Sequence, residues 1–522
     1  MHGAVPLLHD YLSHSAARLG GKVALVCADG RPEERRLTYG DVEARANSLG
    51  HALERRGVAR GDRVVVFAEN GVVPAVAFWA ILKANAVAVL VNPLTRPDKL
   101  AYLLEDSRAV AMISEAPLRA TFAEAAARAP ALKSVLLDGA SDEDLLGLPG
   151  GERLATAVAG EPSDRPPRRR CLELDLAAIV YTSGSTGEPK GVMLTHRNML
   201  SAATSISTYL EAVEDDVVLS ALPMAFDYGL YQLIMAFRAG ARLVLERSFA
   251  FPMRVVERMV EEEATGFPGV PTLFAMLSEL RSLREARLPR LRYVTNTAAA
   301  LAPKHILLLK DLFPGARIYS MYGLTECKRV SYLPPEDLDR KPDSVGLAIP
   351  NTEVWIVDEE GRRVGPNVVG QLVVRGPTVM KGYWEKPEAT AKKLRPGPLP
   401  GEQVLFTGDL CRMDEEGYLY FVARLDDVIK SRGEKIAPKE VEAALLAIPG
   451  VREAAVVGVP DELLGQAVKA FVVLERGARL GPKEIRFECQ RRLEPFMVPK
   501  AVVVVPELPK TSTGKIKKTE LA

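Results

Sequence analysis

The chain of 522 residues has no surplus of either charge, because 68 lysines and arginines face 67 aspartates and glutamates. That excludes a global field able to draw in nucleic acid or an anionic membrane surface, and a small-molecule substrate fits better. Cysteine is scarce: Cys27, Cys171, Cys327, Cys411 and Cys489 are scattered, with no close pair and no histidine cluster beside them. A disulfide framework and a cysteine-based metal site are therefore excluded. No apolar run approaches the length that spans a bilayer, and the opening Met1-His2-Gly3-Ala4-Val5-Pro6 lacks a basic segment followed by an apolar one. The expected location is the cytoplasm, without membrane insertion. There is no internal repeat, and the length corresponds to roughly three or four packed units.

What is present is a long alternation of strand and helix patterns. Residues 39–56 carry apolar side chains at Val42, Leu49 and Leu53, and Thr38 with Asp41 has the form of a capping box, so a surface helix is expected there. Strands at 63–67, 87–91, 109–113 and 134–137 alternate with helices at 74–83 and 118–129, which argues for parallel strands with crossover helices. The polar stretch 141–170, ending Pro166-Pro167-Arg168-Arg169-Arg170, reads as a surface excursion whose arginines form a solvated face. Strands at 217–222, 241–245 and 291–295, with helices at 255–263 and 272–283, imply a second doubly wound unit. Between Val345 and Tyr420 short alternating strands with turns mark a small β-rich subdomain, and the piece from Asp426 is a compact candidate lid.

The chemistry concentrates in Tyr181-Thr182-Ser183-Gly184-Ser185-Thr186-Gly187-Glu188-Pro189-Lys190-Gly191, set between the apolar runs 176–180 and 192–194. Its glycines let backbone N–H groups converge, the hydroxyls of Thr182, Ser183, Ser185 and Thr186 add donors, and Lys190 adds charge, as an anion such as a phosphate requires. Lys190 is followed by Gly191 where a Walker loop has a metal-binding hydroxyl, so this is a different phosphate loop.

This stretch resembles the signature of the AMP-forming adenylating enzymes, the superfamily of acyl-CoA synthetases, carrier-protein adenylation domains and firefly-type luciferases. Further segments match in family order. Ile318 to Glu326 resembles the second signature, which implies that Tyr322 stacks on adenine beside Gly323, that Thr325 donates to the α-phosphate, and that Glu326 helps hold magnesium. Ala298, Ala299 and Ala300 fall where relatives line the adenine. Thr407-Gly408-Asp409 resembles the ribose motif, with Asp409 accepting from the sugar hydroxyls. The segment Arg424 to Gly433 resembles the link to the lid: Arg424 reaches ribose or phosphate, Asp426 is the hinge, Lys430 lies in the nucleotide-binding stretch, and Gly433 leaves room for pantetheine. Relatives usually carry glycine where this chain has Ala423. Near the end, Leu508 to Lys515 matches the terminal motif and makes Lys515 the catalytic lysine, easing the approach of carboxylate and α-phosphate.

The resemblance implies an α/β fold: a large N-terminal domain, 1–425, of two doubly wound α/β subdomains plus a small β-barrel, and a smaller mobile α+β lid, 426–522. It implies ATP, Mg2+ and coenzyme A as cofactors. Leu324 and the segment Ile429 to Glu442 are similar to acyl- and aryl-CoA ligases, which favours coenzyme A as acceptor; the alternative is a carrier-protein phosphopantetheine. The acyl pocket is expected to involve Phe226, Asp227, Tyr228, Gln232 and the turn 266–270, including Phe267 and Gly269. It suits a small aromatic acid, with an amino substituent such as an aminobenzoate's if Asp227 faces the ligand. Asp227 reads equally as a helix cap.

Overall fold

The computed structural model describes residues 6–27, 36–182, 188–281, 283, 286–297, 303–431, 434–461, 464–510 and 516–521. Packing divides the chain into two compact units: Met1–Pro342 with Ala348–Glu353 and Arg375–Leu405, and Asp343–Leu347 with Val354–Val374 and Phe406–Ala522. By packing, residues 345–347, 354–374 and 406–420 of the β-rich segment group with the C-terminal piece and the rest of that segment with the first unit; the 425/426 boundary read from the sequence is not among these breaks.

The first unit is built on two mainly parallel sheets. One runs, in spatial order, Gly382–Tyr383, Lys190–Thr195, Leu176–Thr182, Val87–Val91, Arg63–Phe67, Ala109–Glu115, Ser134–Asp138 and Gly151–Arg153. From Leu176–Thr182 onward its neighbours are parallel, and the strands are near-continuous Val, Ala, Ile and Leu because both faces are covered. Phe67, Val89, Phe122, Leu137 and Ile179 meet in its core. The last strand, Gly151–Arg153, lies inside the stretch read as a surface excursion. That stretch is also tied to the domain: Arg169 pairs with the buried Asp10, and Asn85 bonds the main chain of Arg168 and Arg170. The three arginines are exposed, as a solvated face requires, while Asp10 and Asn85 hold their stretch of chain in place.

The other sheet places Ser331–Leu333, Arg317–Tyr322, Tyr293–Asn296, Gly266–Gly269, Val217–Ser220, Arg242–Leu245, Val23–Cys27 and Arg36–Thr38 side by side, with antiparallel pairs only at the two ends. Helix Tyr39–Arg55 begins with the expected box, Asp41 N–H donating to Thr38 Oγ1 at 3.1 Å and Thr38 N–H to Asp41 Oδ2 at 2.8 Å.

Residues 266–269 correct the sequence reading, since Gly-Phe-Pro-Gly is a buried strand and not a turn. Its ladder with Val217–Ser220 is the single pair Val218↔Gly266, and Pro268, which has no N–H to give, lies beyond it. The glycines serve close packing: a Cβ on Gly266 would come within 2.4 Å of the Tyr293 ring, and one on Gly269 within 2.4 Å of the Phe274 ring.

In the second unit, Glu353–Val357, Gly370–Arg375, Gln403–Met413 and Leu419–Arg424 belong to one sheet. A further sheet follows, centred on the antiparallel pair Val451–Asp461 and Gly465–Leu474. Val456, Val468, Ala470 and Val472 bury one face against helices Pro438–Leu446 and Pro482–Gln490, while Ala455, Val457, Phe471 and Val473 bury the other against Leu508 and Leu521.

Candidate active site

Strands Leu176–Thr182 and Lys190–Thr195 are antiparallel, with Thr182 opposite Lys190, so the two arms that flank the stretch read as a phosphate loop pair as a hairpin. Ser183, Gly184, Ser185, Thr186 and Gly187 lie outside the described residues. The hairpin's base is held from below. Tyr102 donates its hydroxyl to the Pro189 carbonyl at 3.1 Å, Tyr181 donates to Asp106 Oδ2 at 2.6 Å, and the Trp384 N–H bonds the Gly191 carbonyl at 2.7 Å. Burial, then the bond to Asp106, holds the Tyr181 phenol far above its ordinary range, so it stays a donor.

Next to this hairpin stands a residue that sequence reasoning missed. Tyr383, on the short strand that pairs with Lys190–Thr195, donates its hydroxyl to Glu326 Oε1 at 2.7 Å, and Lys190 Nζ lies 5.8 Å from its ring centroid. The Met380 N–H bonds the Glu326 carbonyl at 2.7 Å. The hairpin cation and the acidic residue of the second motif thus both neighbour one phenol.

Strand Arg317–Tyr322 ends at the sheet's carboxyl edge, where open α/β sheets bind ligands. Tyr322, Gly323, Thr325 and Glu326 are partly exposed there. The chain then doubles back, the Val330 N–H reaching the Tyr322 carbonyl at 2.9 Å. Only glycine fits position 323, because a Cβ would stand 2.4 Å from the Lys328 carbonyl oxygen. Lys328 itself has φ 60°, and among the described residues only it and Asn85 combine burial with a positive φ outside glycine. A long side chain in that conformation is held by its surroundings against its own preference. Ala298, Ala299 and Ala300 lie outside the described residues.

The residues expected to form an acyl pocket lie around the same edge. Helix Asp227–Ala239 starts after Phe226, whose ring meets Tyr228 edge-to-face at 6.4 Å. The Tyr228 hydroxyl is fixed on Thr295, 3.0 Å from its carbonyl and 2.5 Å from its Oγ1, and burial raises its pKa to about 12. Gln232 donates to the Tyr228 carbonyl one turn back, and Phe267 packs with Phe274 and Phe313. Gly269 ends the neighbouring strand.

For Asp227 the structure removes a premise. The sequence reading gives its carboxylate either a donor on the ligand or a helix cap, yet Lys328 Nζ stands 3.1 Å from its Oδ2, and Asp227 is the first residue of the helix whose N-cap is Phe226. Lys328 is fully enclosed, with its ammonium 3.9 Å from the Tyr231 ring centroid; burial lowers its pKa and the Asp227 carboxylate opposes that. Arg329 follows, its Nη1 donating to Thr297 Oγ1 at 2.8 Å and its guanidinium 5.1 Å from the Tyr228 ring centroid. Two consecutive cations after an acidic motif read as surface charge in a sequence, and only the return of the chain after Tyr322 buries them.

In the second unit, Asp409 and Arg424 are register partners on adjacent strands, with Arg424 Nε 3.4 Å from Asp409 Oδ1. Asp409 is buried, and its N–H bonds Thr407 Oγ1, which in turn donates to the Leu372 carbonyl. Asp426 is exposed in the single turn Leu425–Asp427, and Lys430 lies on strand Ile429–Ser431. Gly433 and Lys515 lie outside the described residues. Among the described residues no three His, Cys, Asp or Glu gather as a metal site, and no helix is long and apolar enough to cross a membrane.

A family model described as AMP-binding enzyme matches residues 12–384, and one described as AMP-binding enzyme C-terminal domain matches residues 440–515. A long-chain-fatty-acid–CoA ligase of Bacillus subtilis (strain 168) is 32% identical over 98% of this chain and 94% of its own. ATP-bound MatB from Rhodopseudomonas palustris has a TM-score of 0.87 at 29% identity, covering 98% of each chain. The anthranilate CoA ligase AuaEII in complex with anthranoyl-AMP has a TM-score of 0.87 at 26% identity, covering 99% of this chain and 96% of that one.

Proposed function

The chain belongs to the AMP-binding enzymes and is an AMP-forming acid–thiol ligase with ATP and coenzyme A as co-substrates; we propose that its acid is small, with an aromatic acid as the first reading, and not a long aliphatic one. One observation carries this: Phe226 and Tyr228 flank a buried cluster of Asp227, Lys328 and Arg329. A long alkyl chain laid on these groups would strip water from the site without offering them a hydrogen bond. An amino-substituted acid is the second reading. It is favoured by the likeness to an anthranilate CoA ligase structure and no longer by Asp227, which Lys328 already engages.

In this reading the triphosphate sits in the hairpin loop, on Thr182, the backbone and hydroxyls of residues 183–187, and Lys190. Adenine stacks on Tyr322 beside Gly323 and residues 298–300, and Asp409 with Arg424 holds the ribose. A carboxylate oxygen of the acid attacks the α-phosphorus and the bond to the β-phosphate bridge breaks, releasing pyrophosphate. Thr325 donates to the α-phosphate, and Lys515 sits between the two anions. The coenzyme A thiolate, its proton lost to solvent, then attacks the acyl carbon, and AMP leaves. Magnesium fits Glu326: one carboxylate oxygen is engaged by Tyr383 and the other remains, which suits an ion whose remaining ligands are phosphate oxygens and water. That ion would offset charge on the phosphates. Gly433 belongs to the face used by the thiol, Lys430 to the nucleotide-binding stretch, and Asp426 divides the lid, 426–522, from 1–425.

The test is a panel of carboxylic acids scored first by pyrophosphate release and then by thioester mass, with coenzyme A and carrier protein offered in turn. Small aromatic acids should lead; long-chain acids leading instead would overturn the small-acid reading. Lys515→Ala should lose acyl-adenylate formation while still converting preformed acyl-adenylate to thioester, and equal loss of both half-reactions would remove Lys515 from its assigned step.

A further inference from the structure

Arg329 is 3% exposed and Lys328 2% exposed, and the carboxylate beside them, Asp227, pairs with Lys328. Among the described residues no carboxylate lies at ion-pair distance from Arg329, whose partners are Thr297 Oγ1, the Tyr209 side chain and the Tyr228 ring, all of them neutral. A guanidinium does not shed its proton, so this corner holds a buried positive charge with nothing opposite it. The surrounding phenols cannot supply the anion, because burial raises the pKa of Tyr209, Tyr228 and Tyr231 and keeps them neutral.

The unused donors have a direction. Arg329 Nε and Nη2 are buried without an acceptor, and these two N–H groups point the same way along one edge of the guanidinium. Elsewhere in this chain Arg60 presents that same edge to Asp175, at 3.1 and 2.6 Å. Lys328 Nζ is also without a well-aligned acceptor, although Asp227 is close. The free fork, the spare ammonium donors and the left-handed backbone at Lys328 sit together where strand Tyr293–Asn296 ends beside the first turn of helix Asp227–Ala239. Resting on the ligase reading above, we propose that the acid substrate carries a second carboxylate, which docks on the Nε–Nη2 edge of Arg329 beside Lys328 while the first carboxylate is activated. The substrate class is a small dicarboxylic acid, aromatic or short aliphatic.

Matched pairs test this in the wild-type enzyme: benzoate against benzene-1,3- and 1,4-dicarboxylate, and butanoate against butanedioate and pentanedioate. The better dicarboxylic member of a pair should exceed its monocarboxylic partner in kcat/KM by at least about 10-fold. Arg329→Met should cut that ratio by about 100-fold, and Arg329→Lys, which keeps the charge without the fork, by less. Monocarboxylic acids preferred by wild type, or a ratio unmoved in Arg329→Met, would overturn the proposal. Pyrophosphate release from none of these acids would overturn the small-acid reading instead. Calorimetric binding of the same pairs to wild type decides the present proposal even then, and without any variant: tighter binding of the monocarboxylic member would reject it.

Discussion

Lys328 shows how much of this site rests on single side chains. Burial takes its pKa from 10.5 to about 7, with Asp227 opposing the shift. Between those values the unfolded chain holds a proton that the folded chain lacks, so stability should rise with pH from about 7 towards 10 and be lost again as pH falls through 7. Lys328→Met removes this dependence. Urea denaturation at pH 6.5, 8 and 9.5 should show wild type gaining on the variant, and a difference independent of pH would refute the shift. Tyr383 is a positioning residue for Glu326. Tyr383→Phe should lower adenylation by about 10-fold and raise the magnesium concentration needed for half-maximal pyrophosphate release, the second readout being one that a merely structural role would not move. Neither residue was legible in the sequence. The hairpin loop, Tyr322, Glu326 and Asp409 stand in recognisable motifs, whereas Tyr383, Lys328 and Arg329 matter through contacts between segments distant in the chain.

At the scale of elements, helix Asp227–Ala239 positions Asp227 and Tyr228, and Gly229 permits its close approach. Glycine inside a helix is worse than alanine by about 1 kcal/mol, so propensity alone predicts that Gly229→Ala stabilises. The contact decides otherwise. The new Cβ would stand 2.2 Å from the Pro223 carbonyl oxygen and 2.8 Å from that of Leu222, and these are backbone atoms that cannot swing aside. Overpacking of this kind costs about 1–3 kcal/mol. Denaturant titration should show net destabilisation, accompanied by a fall in kcat/KM as Asp227 and Tyr228 are displaced; a gain in stability would show that the first turn yields freely. Most elements could be read from apolar periodicity, and the capping box at Thr38 and Asp41 marks a helix start within a residue. Strand Gly266–Gly269 could not be read, because proline and glycine signal a turn locally while the demand for small residues comes from Tyr293 and Phe274. The hairpin at Thr182 and Lys190 was likewise hidden, since direction in a sheet is set by the partner strand.

For the whole molecule, the motifs are divided between two packed units: Thr182, Lys190, Tyr322, Thr325 and Glu326 belong to the first, and Asp409, Arg424, Asp426 and Lys430 to the second. The division expected from order along the chain, 1–425 and 426–522, is not this one, because strand Gln403–Met413 passes from one unit to the other without a break that composition could show. A boundary of packing and a boundary of motion need not coincide. The motion is assigned to Asp426, exposed in a single turn between strands Leu419–Arg424 and Ile429–Ser431, with extended backbone on both sides, Arg424 at φ −83° and ψ 142° and Val428 at φ −62° and ψ 123°. So short a turn between two extended segments can redirect everything after it by changing a few dihedrals, as hinges between half-reactions require. Asp426→Pro fixes φ near −65° and removes one N–H, and it also biases Leu425 towards extended backbone. If the hinge works as proposed, the variant should release one equivalent of pyrophosphate per enzyme in a single-turnover burst at close to the wild-type rate. Steady-state thioester formation should then fall by at least about 10-fold, because the second half-reaction waits on a rotation that proline obstructs. Burst and steady state falling together would mean that the substitution damages the nucleotide site through Arg424, and neither changing would place the pivot elsewhere in the chain.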